Sequence, residues 1–111
     1  MTATTRALLL AAIGIAFAVP ALRTVAADPP RTHEVIIEGL KFVPETLVVH
    51  SGDVVVWKNK DFFPHTASAA GGFDSGPIEA GKSWRFVAKK PGVYPYICSL
   101  HTTMKGTLRV E

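Results

Sequence analysis

Six short runs that alternate with a period of two set the strongest limit on what this chain can fold into. They span residues 35–38, 46–49, 54–59, 83–88, 93–98 and 107–110, and each is rich in β-branched or aromatic side chains. Turn signals fall between them: Glu38-Gly39, Ser51-Gly52-Asp53, Ala80-Gly81 and Lys90-Pro91-Gly92. The alternation is clearest in Ser83-Trp84-Arg85-Phe86 and Thr107-Leu108-Arg109-Val110, where large apolar residues take one face and polar ones the other. No stretch carries a 3.6-residue period long enough for a substantial helix. Strands at this spacing predict an all-β fold, a Greek-key β-sandwich in a single domain. Residues 65–77 read as a long Ala- and Gly-rich connection between core strands. Pro95 interrupts the run that leads to Cys98, which predicts either an outward-facing nitrogen or an irregularity there.

The first 27 residues read as something other than part of that sandwich. Arg6 ends a short leading segment, residues 7–19 are uninterruptedly apolar or small, Pro20 closes the run, and Val25-Ala26-Ala27 offers small residues for cleavage. This is the three-part pattern of a secretory signal, with cleavage expected after Ala27. The apolar run falls short of the roughly 20 residues that span a bilayer. Residues 28–111 are then the mature domain, exported to the periplasm and not stably membrane-bound. Loss of Arg6 and Arg23, with no acidic residue, lowers the formal charge from +3 to +1. No clustered basic surface for nucleic acid is expected.

Cys98 is the only cysteine in the chain, so an exported domain of this size has no internal disulfide. It opens the segment Cys98-Ser99-Leu100-His101-Thr102-Thr103-Met104, which sets a thiolate, an imidazole and a thioether three residues apart. Soft sulfur ligands with imidazole select copper, and two His, one Cys and a weak axial Met form a blue-copper electron-transfer site. His65, in Phe62-Phe63-Pro64-His65-Thr66, is the one histidine embedded in apolar residues and the expected fourth ligand. His33 and His50 read as solvent-facing. Zinc fits less well because Met is a poor zinc ligand. A Cys–His protease would need a cleft and an oxyanion hole that so small a β domain leaves little room for.

The chain resembles the cupredoxins, or blue copper proteins, over roughly residues 34–110. The likeness rests on Gly52-Asp53-x-Val55-x-Trp57-x-Asn59, Phe63-Pro64-His65, Phe73-Asp74-Ser75-Gly76, Pro91-Gly92-x-Tyr94-x-Tyr96-x-Cys98 and Met104-Lys105-Gly106. It is closest to the amicyanin, plastocyanin and pseudoazurin group, and its compact Cys-x2-His-x2-Met loop is similar to the amicyanin type. The resemblance implies one copper ion held by His65, Cys98, His101 and Met104, with Met104 axial. It implies no enzymatic activity, but single-electron transfer by a monomer between redox proteins such as a dehydrogenase, a cytochrome or an oxidase. These would dock at His101 on a rim of Phe63, Pro64, Leu100 and Thr102. Thr66 stands where amicyanin-like chains carry an Asn that ties the ligand loops together, and the Thr66 and Ser99 hydroxyls are the expected substitutes. Leu100 and Thr102 replace prolines on either side of the second His. The alternative use of the same ligands is copper delivery or tolerance.

Overall fold

A computed structural model describes residues 2–4, 7–21 and 28–111. Among them are nine strands and no helix: β1 (Thr32–Glu38), β2 (Lys41–Val43), β3 (Thr46–Val49), β4 (Asp53–Asn59), β5 (Ser68–Ala69), β6 (Phe73–Asp74), β7 (Ser83–Ala88), β8 (Gly92–Cys98) and β9 (His101–Val110). They form two sheets, ordered β2-β1-β4-β7 and β3-β9-β8-β5-β6. The chain crosses repeatedly from one sheet to the other. Two pairings are therefore parallel, β1 with β4 and β3 with β9, and the rest antiparallel. This is the expected Greek-key sandwich.

Sequence and burial agree strand by strand. In β4, flanked by β1 and β7, Val54, Val55 and Trp57 are all buried, so the run reads as nearly continuous apolar residues. β9 alternates instead, burying Met104, Leu108 and Val110 while Lys105 and Arg109 face water. Trp57 is fully buried between the sheets, with Phe73, Trp84 and Tyr96 rings centred 5.3, 5.4 and 5.6 Å away. Tyr96 and Cys98 share the buried face of β8.

Pro95 is accommodated as its position demands. It pairs with Thr107 of β9, but the Thr107 N–H is donated to Glu45 on the opposite side. The pair is therefore a non-hydrogen-bonded one, and the Pro95 nitrogen points away from β9. On that other flank β5 reaches β8 only at Ile97, so no ladder bond is lost. The ladder also slips in register between Ile97 and Cys98, just before the ligand loop.

Three strands were not evident in the sequence. β2 follows a hairpin turn at Gly39 and Leu40, whose φ angles of 62° and 60° match the positive values tight hairpins need. β5 and β6 lie inside the 65–77 segment, which is thus a small hairpin rather than an open connection. Each is two residues long, too short for any period to register. Residues 7–21 carry neither helix nor strand. No helix among the described residues is long and apolar enough to cross a membrane. The expected cleavage point after Ala27 lies outside the described residues.

Candidate metal centre

The end of β4, the end of β8 and the start of β9 converge at one end of the sandwich. His65, Cys98 and His101 each place a donor atom there, all within 4.8 Å of one another. Nδ1 of His65 lies 3.6 Å from the Cys98 sulfur, and Nδ1 of His101 lies 3.8 Å from it. His65 and Cys98 are completely buried, whereas the His101 ring is half-buried. Met104 is buried on β9, three residues beyond His101. Two imidazole nitrogens and one thiol, dry on the inside with a single edge toward solvent, form a donor set that suits copper.

His65 owes its position to the loop that follows β4. The buried Asn59 amide donates to the carbonyls of Phe63 (2.8 Å) and Ile78 (2.9 Å), while its oxygen accepts the Asp61 N–H (2.9 Å). His65 and Ile78 then exchange two backbone bonds of 3.2 and 2.7 Å. With Nδ1 facing Cys98, the other ring nitrogen donates to the Asp61 carboxylate at 2.7 Å. That carboxylate also accepts the Gly39 and Leu40 N–H groups of the β1–β2 turn. Burial pushes the Asp61 carboxyl up, but the bonds from Gly39, His65 and Leu40 outweigh it and hold it below the usual range. A carboxylate behind a ligand imidazole fixes the ring and its tautomer.

The two loops are tied together as expected of a Thr in place of Asn. The Thr66 hydroxyl accepts the Ser99 N–H at 2.7 Å and sits 3.0 Å from the Ser99 hydroxyl. The Thr66 N–H in turn donates to the Cys98 sulfur at 3.3 Å.

Around His101 the surface is apolar. Phe63 is 43% exposed with its ring 5.5 Å from that of His101, and Leu100 is 53% exposed. Thr102 is exposed and Pro64 half-buried. Phe62, the residue before Phe63, is 98% exposed. His50 is exposed and remote in sequence from the cluster, while His33 is half-buried and donates to Asp53 at 2.9 Å rather than facing solvent freely. Asp61 escaped notice because it lies in no spacing motif, and Asn59, though it closes the Gly52-to-Asn59 motif, had no role assigned to it. The available clue was an Asp four residues before His65, opposite a Gly39-Leu40 turn.

Known proteins share both the sequence and the architecture. The model of the cupredoxin-like domain matches residues 8–110. Amicyanin-alpha of Methylorubrum extorquens is 32% identical over 106 residues, covering 86% of this chain and 86% of the relative. A Cu(I) form of an amicyanin variant superposes with a TM-score of 0.68 at 26% identity, covering 78% of this chain and 87% of that one. A copper-containing nitrite reductase from Thermus scotoductus reaches 0.69 at 30% identity, covering 85% of this chain but only 25% of the enzyme.

Proposed function

The chain belongs to the cupredoxin-like domain family, and from that premise we propose that it is a mononuclear blue copper protein that carries single electrons between redox partners. The observation that carries this reading is the meeting of His65, Cys98 and His101 within 4.8 Å, the first two buried and the third half-buried, with Met104 buried three residues beyond His101 on β9. We assign His65, Cys98 and His101 as the strong ligands and Met104 as the weak one. When bound, copper supplies a one-electron couple between Cu(I) and Cu(II).

The chain's own residues supply the rest. Cys98 offers its sulfur, which is oriented by the Thr66 N–H that it accepts. Asp61 holds the His65 ring from behind, and Thr66 and Ser99 hold the two loops in register. Donors fixed in this way have little room to rearrange when charge arrives or leaves. Burial of His65 and Cys98 keeps water off the inner side. His101 reaches the surface beside Phe63 and Leu100, an apolar face that suits brief contacts of low area with redox partners.

A carrier rather than an enzyme is the better reading, because the likeness to amicyanin-alpha covers 86% of both chains. The short charged leader and apolar run of residues 2–19 support removal of residues 1–27 and a periplasmic home for the monomeric mature domain. Mass spectrometry of the protein recovered from cells should then begin at Asp28.

Copper-loaded, oxidised protein should show an intense visible band from thiolate-to-copper charge transfer. Cys98→Ser should abolish it and His50→Ala should leave it unchanged. A colourless oxidised copper complex overturns the proposal. Rapid surrender of copper to a competing chelator, with slow electron exchange, would instead favour copper delivery.

A further inference from the structure

We propose that Asp74, an exposed carboxylate on β6, is a positioning residue for the ligand loops, acting on them through an ordered chain of three hydroxyl groups. The chain begins where Ser68 Oγ donates to Asp74 Oδ1 at 2.9 Å. Ser68 Oγ lies 3.0 Å from Thr66 Oγ1, which lies 3.0 Å from Ser99 Oγ and 2.7 Å from the Ser99 nitrogen.

Proton counting gives this chain a direction. The Gly76 N–H and the Ser68 hydroxyl hold the Asp74 carboxyl below its usual range, so it can only accept. The single Ser68 proton is thereby committed to Asp74, and Ser68 Oγ must accept from Thr66. The single Thr66 proton is committed in turn. Thr66 Oγ1 then faces Ser99 purely as an acceptor, taking both the Ser99 N–H and the Ser99 O–H. Without the carboxylate each hydroxyl could turn either way, and the junction between the loops would have several arrangements in place of one.

The carboxylate is itself held in place. Ser75 donates its N–H to Ala67 O at 3.0 Å, and its hydroxyl accepts the Ala67 N–H at 2.8 Å while donating to Gly76 O at 2.6 Å. Gly76, at φ 62°, lets the Gly76 N–H turn back to Asp74 Oδ1 at 3.0 Å. Residues 74–76 are thus clamped to the segment that carries Thr66. Thr66 itself is buried, adjoins His65 and donates its N–H to the Cys98 sulfur, so its orientation is felt in both loops. Aligned donation toward Asp74 leaves Thr66 Oγ1 electron-rich and favours Cu(II) over Cu(I).

This inference rests on the copper reading, and a double-substitution cycle tests it in the copper-loaded protein. Asp74→Asn removes the charge, whereas Ser68→Ala keeps the charge and cuts the chain. Each should lower the ratio of Cu(II) to Cu(I) affinity about threefold. That is less than the 10–100-fold typical of partners bonded directly to a ligand, and it raises the reduction potential by roughly 28 mV for one electron. The double variant should match the single ones. In the copper-free protein, both variants should also exchange the Ser99 amide hydrogen faster, a readout that needs no metal. An unmoved potential in Ser68→Ala, an unmoved potential in Asp74→Asn, or additive shifts would each overturn the role of Asp74. Those results leave the visible band intact, whereas failure of the copper reading removes the band from the unsubstituted protein.

Discussion

The His65 imidazole is addressed from both sides, by the Cys98 sulfur at Nδ1 and by Asp61 at Nε2. Replacing Asp61 with Ala would leave three donors without their acceptor: the Gly39 and Leu40 N–H groups and the His65 ring. The ring is fully buried, so water cannot readily take the carboxylate's place. Asp61→Ala should weaken copper binding about 10–100-fold in a chelator competition. It should also destabilise the copper-free protein by roughly 1.5–3 kcal/mol, the scale of bonds to a charged acceptor. Asp61→Asn keeps an acceptor oxygen and should lose less; unchanged affinity in Asp61→Ala would refute the positioning role. Cys98 and His101, which the fold brings beside His65, were legible because they share with Met104 one short segment whose donor set few chemistries need. His65 was legible by its apolar setting. Asp61 was not, since an aspartate in a polar turn looks the same whether or not a distant hairpin and a histidine converge on it.

Elements show the same division between pattern and contact. β4 and the last four residues of β9 announce themselves through a continuous apolar run or alternation, whereas the first part of β9, read as ligand loop, did not; β2, β5 and β6 are two or three residues long and form only because neighbours offer edges. Gly106 is a contact of this second kind. It pairs with Tyr96 across β8 and β9, and a Cβ there would overlap the tip of the Tyr96 ring and come within 2.8 Å of Cε1. Tyr96 cannot give way easily, since it is buried against Trp57 and Phe42. Gly106→Ala should therefore cost about 1–3 kcal/mol through overpacking. For a domain of this size that lowers the thermal midpoint by roughly 4–8 °C per kcal/mol. An unchanged midpoint would mean that β9 shifts freely, contrary to its pairing with both β3 and β8.

Across the whole molecule, β4 connects two polar junctions that lie at opposite ends of the sandwich. Its last residue, Asn59, organises the metal-site loop, and its first, Asp53, gathers the other end some 20 Å away along the strand. Asp53 accepts the Arg31 N–H at 3.0 Å, the His50 N–H at 3.0 Å and the His33 ring at 2.9 Å, tying the lead-in, β1 and the β3–β4 turn together. The backbone bonds from Arg31 and His50, joined by His33, hold its carboxyl far below the usual range despite the opposing effect of burial. A carboxyl depressed by folding contributes stability that is fully present above its unfolded value of about 3.9 and drains away as pH falls below it. In the copper-free protein this contribution to the thermal midpoint should therefore be constant above about pH 5 and lost progressively below about pH 4. Asp53→Asn should lower the midpoint at neutral pH and flatten the acid decline, because its contribution no longer depends on a proton. Asp61 and Asp74, also depressed, titrate in the same window, so the diagnostic quantity is the difference between the variant and the unsubstituted protein. Sites this far apart act independently, so the copper-loaded variant should keep its visible band in position and intensity. An equally steep acid decline in Asp53→Asn would move the source of acid sensitivity to the metal-site end, where Asp61 is the remaining depressed carboxyl bonded to a buried partner.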